Sequence, residues 1–149
     1  MVRTHSADDT RALAARLVTR LAAGDTIVLS GDLGAGKTTF VQGLAAGLGI
    51  TARVQSPTFV LVRRYEAAIP LVHADLYRLD AGAELLEIGL DDLFTGEAIV
   101  VIEWGEAAGR LLPADRLEIR LAAVPGADDH RDVAVSGAGR LARLAEELW

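Results

Sequence analysis

One stretch of the chain constrains its fold more than any other. The apolar run Thr26-Ile27-Val28-Leu29-Ser30 leads into Gly31-Asp32-Leu33-Gly34-Ala35-Gly36-Lys37-Thr38, and a helical pattern then continues from Thr39 to Leu48. A strand that passes through GxxxxGKT directly into a helix is the P-loop, or Walker A, arrangement. The glycines let the backbone curl so that successive N–H groups converge on phosphate oxygens, and the helix start adds the positive end of its dipole. Gly34, Ala35, Gly36, Lys37, Thr38 and Thr39 are therefore the predicted phosphate cradle. Lys37 places a point charge on the β- and γ-phosphates, and the Thr38 hydroxyl is the expected Mg²⁺ ligand. Lys37 is the sole lysine of the chain. Every other permanent side-chain cation is an arginine, whose planar fork does not replace a compact ammonium. The motif predicts binding of a nucleoside triphosphate with Mg²⁺.

At 149 residues, half of them apolar, the sequence is expected to form a single domain over residues 1–149 with a substantial core. It has no cysteine, which excludes disulfides, thiolate metal sites and cysteine nucleophiles. The net charge of −6 argues against a broad basic footprint for nucleic acid. No apolar run approaches a membrane span, and residues 1–9 lack the charged-then-apolar layout of a secretory leader. A soluble, cytoplasmic protein is expected.

The rest of the pattern alternates helices and strands. Ser6 followed by Asp9 marks a helix start. Leu13, Leu17 and Leu21 recur at helical spacing until Gly24. The P-loop helix is predicted over 37–48. Two apolar stretches, Phe59 to Tyr65 and Leu71 to Leu76, are joined by only Glu66 to Pro70. That link permits an antiparallel hairpin but no parallel crossover, so the sheet should be mixed. A short helix is predicted over 82–88. Ala98 to Ile102 is continuously apolar, as a central strand buried on both faces would be. Arg116 to Leu121 alternates like a half-exposed strand. Pro125-Gly126 opens a turn with Asp128 and Asp129, Val133 and Val135 mark a last strand, and Leu141, Leu144 and Leu148 a closing helix. The expected fold class is α/β, a P-loop NTPase-like three-layer domain with a mixed parallel and antiparallel sheet flanked by helices.

A phosphate cradle turns over only with a Mg²⁺-holding acid and a group that places the attacking oxygen. Glu103, at the end of the strand Ile99 to Ile102, is the predicted Mg²⁺ acid. Asp75, in His73-Ala74-Asp75-Leu76-Tyr77-Arg78, is the second candidate. Strand alternation puts His73, Asp75 and Tyr77 on one face. That row reads either as a solvated edge strand or as the wall of a site. In a site, Asp75 would orient or deprotonate the attacking water, or hold Mg²⁺ through water, with His73 as a positioning residue. Ser56-Pro57-Thr58 reads either as a strand-entry turn or as a loop whose hydroxyls sense the γ-phosphate. Trp104 fits core packing, a partner contact or a lid over the nucleotide. Arg63, Arg64 and Arg78 are further cations that could face transferring charge.

These blocks together resemble the TsaE (YjeE) family of P-loop ATPases in bacterial tRNA threonylcarbamoyladenosine (t6A) synthesis. The resemblance rests on Gly31 to Phe40, Ser56-Pro57-Thr58-Phe59, His73 to Leu79 and Ile102-Glu103-Trp104, in that order. It implies ATP binding at Gly34 to Thr39, Mg²⁺ at Thr38 and Glu103, and an essential Asp75. It further implies nucleotide contact near Glu106 and a mixed sheet flanked by helices. It implies a subunit that does not itself modify tRNA. Such a subunit docks on TsaD and TsaB, and its ATP hydrolysis supports their modification of adenosine 37, with tRNA met only through the complex. Two other P-loop classes fit less well. A small-molecule kinase usually carries an arginine-bearing lid, and no long arginine-rich insertion follows the central strand. A GTPase selects guanine with Asn-Lys-x-Asp, and the chain has no second lysine to supply it.

Overall fold

The computed structural model describes residues 1–55, 62–76, 93–104 and 109–147. Seven strands form one mixed sheet: β1 (Val2–Thr4), β2 (Thr26–Ser30), β3 (Val62–Tyr65), β4 (Leu71–Asp75), β5 (Ile99–Glu103), β6 (Arg116–Val124) and β7 (Ala127–Ala138). Their order across the sheet is β1-β7-β6-β2-β5-β4-β3. The central strands β4, β5, β2 and β6 run parallel. The antiparallel strands lie outside them, β3 against β4 and β7 against β6, with β1 against β7. All C-terminal ends of the parallel strands therefore open on one edge, where open α/β sheets receive their ligands. The short link between the two apolar stretches produces the expected antiparallel β3–β4 pair. Residues 59–61 of the first stretch and the helix predicted over 82–88 lie outside the described residues.

Strand alternation divides the core in two. One cluster joins Ile27, Leu29, Leu71, Ile99, Val101, Leu117 and Ile119 to the helices α1 (Ala7–Val18) and α2 (Lys37–Gly47). Val72, Ala74, Val100 and Ile102 build a second cluster on the opposite face. Every residue of β4 and β5 is buried, as the continuous apolar run of β5 requires. Because β4 lies between β5 and β3, the solvated-edge reading of its polar row does not hold.

Helix α1 starts as its residues dictate: Ser6 Oγ accepts from the Asp9 amide at 3.0 Å, and Asp9 Oδ2 accepts from the His5 amide at 3.1 Å. It stops at Val18, six residues short of Gly24. Asp25 explains the early end, because its Oδ2 captures the Ala22 amide at 2.8 Å while Oδ1 pairs with Arg140. The Arg20 and Leu21 amides bond only three residues back. Leu21 is nevertheless buried, so the leucine periodicity outlasts the helix. A second correction concerns the last hairpin. Its turn is only Pro125-Gly126, with Gly126 at φ +78°, the pair that a type II turn calls for. Asp128 and Asp129 already belong to β7. The short strand β1 is anchored by Arg3, which forks onto Asp132 at 2.7 and 3.0 Å; that hydrogen bond holds the Asp132 carboxyl below its ordinary range. The closing helix α3 spans Ala142–Glu147.

Helices α1 and α2 cross where α2 has no side chains. A Cβ on Gly43 would lie 2.3 Å from the Arg11 carbonyl oxygen and 2.7 Å from Ala14 Cβ; one on Gly47 would lie 2.4 Å from Val18 Cγ1. In an open helix, Gly to Ala gains roughly 1 kcal/mol. Here the obstacle is backbone, which cannot step aside, and forced overpacking costs about 1–3 kcal/mol. Gly43→Ala is therefore expected to destabilise the fold by about 2 kcal/mol, read as a lower melting temperature; an unchanged or higher one would contradict the close crossing.

Candidate functional site

The loop between β2 and α2 owes its shape to its glycines. Gly31 lies so close to β6 that a Cβ would sit 2.5 Å from the Leu121 carbonyl oxygen. Gly36, at φ +102°, caps α2 with no side chain over the helix end. Inside the loop the Ala35 amide donates to Asp32 O at 2.9 Å. No acidic residue stands in the first turn of α2, so nothing there competes for an anion. Thr38 and Thr39, half-buried, follow in that turn.

Lys37 is 7% exposed. Its Nζ donates to the carbonyls of Gly31 and Asp32, the latter at 3.3 Å, and stands 4.4 Å from the centre of the Trp104 ring. Trp104 reaches that position through an unusual backbone. It is the only non-glycine among the described residues with a positive φ, +59°, a conformation that costs roughly 1–2 kcal/mol. Such strain concentrates where a side chain must be aimed. The chain leaves β5 by turning sharply just after Glu103, and the indole lies beside the lysine while also packing on the second core cluster.

Glu103 and Asp75 are register partners at the ends of β5 and β4, 3% and 7% exposed. His73, two residues before Asp75 and fully buried, bonds through Nε2 to Glu103 Oε2 at 2.6 Å. With Glu103 as a carboxylate, which only accepts, Nε2 is the donor of this bond. Among the described residues Nδ1 has no partner. By alternation, His73, Asp75 and Glu103 lie on the same face as Leu71 and Val101, which is the face that α2 covers. Glu103 also pairs in register with Leu29 of β2, one residue before Ser30 and two before the P-loop. A cleft of about 460 Å³ opens beside the P-loop on the β2–β6 side, lined by residues 30–35, Trp104 and residues 120–123. That is within the usual size of small-molecule sites, roughly 300–1,000 Å³.

Glu103 and Asp75 are thus buried side by side at the strand ends, on the sheet edge where Thr38 opens α2. Such a donor set suits Mg²⁺, which takes one or two carboxylates and keeps its other positions for water and phosphate.

A model of the family "Threonylcarbamoyl adenosine biosynthesis protein TsaE" matches residues 4–133 of this chain. The chain belongs to the TsaE family. A TsaE protein of Bacillus subtilis is 40% identical over 148 residues, covering 98% of this chain and 91% of the relative. One from Streptomyces coelicolor is 45% identical over 135 residues, covering 87% and 90%. The crystal structure of Bacillus subtilis YdiB superposes with a TM-score of 0.83 at 36% identity, covering 99% of this chain and 91% of that one.

Of the residues singled out in the sequence, Lys37, Thr38, His73, Asp75, Glu103 and Trp104 converge on this edge of the TsaE sheet. Ser56, Thr58, Arg78 and Glu106 lie outside the described residues. Arg64 points elsewhere, pairing with Glu66 at 2.6 Å and Glu97 at 3.9 Å. Two arginines escaped the sequence reading. Arg120 lines the cleft from β6. Arg131, on β7, bonds to the P-loop itself. A signal for Arg131 was present, since it continues the core-facing row of Val133 and Val135, where a cation is out of place.

Proposed function

We propose that this chain binds and hydrolyses ATP with Mg²⁺, and so supports threonylcarbamoyl modification of tRNA adenosine 37 by a TsaD–TsaB complex. The observation that supports the reading is that the parallel strands bring the ends of β4 and β5, with Asp75 and Glu103, to the same sheet edge as the P-loop that follows β2, in a member of this family. The threonylcarbamoyladenosine names of its relatives supply the pathway.

The proposed division of labour follows from position. The amides of Gly34 to Thr39 and the Lys37 ammonium bind the phosphates. Thr38 and Glu103 hold Mg²⁺, which when bound neutralises charge on the β- and γ-phosphates. His73 fixes the carboxylate of Glu103 through the 2.6 Å hydrogen bond, so that its other oxygen keeps one orientation. Asp75 serves the attacking water. Trp104 closes one side of the cleft beside the lysine.

The test is ATP turnover by the purified protein alone and with TsaD, TsaB and tRNA. Strong stimulation by the assembly is expected. Turnover indifferent to those partners would overturn the coupling to tRNA modification.

A further inference from the structure

Arg131 belongs to none of the motifs above, yet it touches the P-loop from 94 residues beyond Lys37. It stands on β7 in the row of Val133, which is buried in the core beneath α1 and α2. Its Nε donates to the Ala35 carbonyl at 2.9 Å and its Nη2 to the Gly34 carbonyl at 3.3 Å. Its Nη1 is held by the carbonyls of Asp128 at 2.6 Å and His130 at 2.7 Å, within its own hairpin. Among the described residues no carboxylate pairs with it, so its charge is not cancelled locally. A Cβ on Gly36 would lie 3.6 Å from Arg131 Nε, which shows how closely the guanidinium backs the loop.

A trans peptide points its C=O and N–H in opposite directions. Fixing the Ala35 carbonyl on the guanidinium aims the Gly36 amide away from the β6–β7 hairpin. Fixing the Gly34 carbonyl does the same for the Ala35 amide, which indeed turns inward onto Asp32 O. These are the peptides most able to flip, because Gly34 and Gly36 tolerate either hand of φ. A flipped 35–36 peptide would meet a phosphate with a carbonyl oxygen, exchanging attraction for repulsion. Arginine fits the task because its rigid fork presents several donors at once.

We propose that Arg131 is a positioning residue for the phosphate cradle: by clamping the Gly34 and Ala35 carbonyls from behind, it sets the direction of the loop amides before the nucleotide arrives. The inference rests on the reading of the P-loop as a nucleotide site, and its test separates the two.

The experiment compares the parent with Arg131→Ala and Arg131→Lys. Hydrogen exchange of residues 31–37 is followed without nucleotide, and Mg²⁺–ATP and Mg²⁺–ADP affinities are measured by competition with a fluorescent nucleotide. In Arg131→Ala the loop amides exchange faster, and both nucleotides bind about tenfold more weakly. Millimolar guanidinium restores part of the affinity, which a merely structural defect would not allow. A folded Arg131→Ala protein with parental exchange and affinity overturns the inference. Should that variant fail to fold, Arg131→Lys decides. A single ammonium cannot serve both the loop and the hairpin, so faster loop exchange and about threefold weaker ATP binding are expected, and parental values overturn the proposal. If the parent itself fails to bind ATP, the nucleotide reading falls, while the exchange data still judge the clamp.

Discussion

Asp75→Asn is expected to leave Mg²⁺–ATP affinity within about twofold of the parent while lowering hydrolysis in the assembled complex by a factor on the order of 10²–10⁴, the range lost with a positioned acid–base group. Asparagine keeps the shape and one acceptor oxygen, but it neither carries charge nor takes a proton. The proposed ground-state contacts to phosphate lie on the β2–α2 loop, whereas Asp75 stands two strands away at the end of β4. Its loss should therefore fall on turnover and spare binding. Glu103, its register partner on β5, has its orientation fixed independently by His73. The check is a pair of titrations, equilibrium ATP binding and steady-state turnover with TsaD, TsaB and tRNA. Normal hydrolysis would strike out the catalytic role. A parallel loss of affinity and turnover would move Asp75 into the Mg²⁺ shell instead.

The parts of the fold that the sequence revealed are those decided by neighbours in the chain. β2 and the start of α2 fall where the apolar run, the glycines and the lysine put them, because each is fixed by local geometry. The antiparallel β3–β4 pair followed from a link too short for a crossover, and Glu103 from its place at the end of a wholly apolar strand. What stayed hidden depends on distant partners. The three residues of β1 are a strand only because β7 offers an edge and Asp132 receives Arg3. The early end of α1 depends on Asp25, which is itself held by Arg140 from 115 residues away. The left-handed turn at Trp104 leaves no trace in composition. Arg131 continues the row of Val133 and Val135 in the sequence, but only the fold shows that β7 brings it onto the P-loop.

Lys37→Ala is expected to weaken both ATP and ADP by about a hundredfold, the upper range for a hydrogen bond to a charged group. Without nucleotide the ammonium of this buried residue is balanced by the Gly31 and Asp32 carbonyls and by the Trp104 ring. Neutral acceptors and a ring face cannot match the charge of a polyphosphate, so arriving phosphate exchanges weak partners for a strong one within the same reach. Alanine loses that exchange entirely. Lys37→Arg should not restore binding, because the guanidinium needs a wider planar space. The loop cannot open to provide it while Gly31 is packed on the Leu121 carbonyl and Arg131 holds Gly34 and Ala35. The measurement is equilibrium binding of both nucleotides to the two variants, with tryptophan emission as an internal check. Removing the cation beside Trp104 should alter the emission of the nucleotide-free protein. Affinity within a few-fold of the parent in Lys37→Ala would remove the phosphate role from this lysine. Full affinity in Lys37→Arg would show that the loop is looser than its packing on β6 and β7 allows.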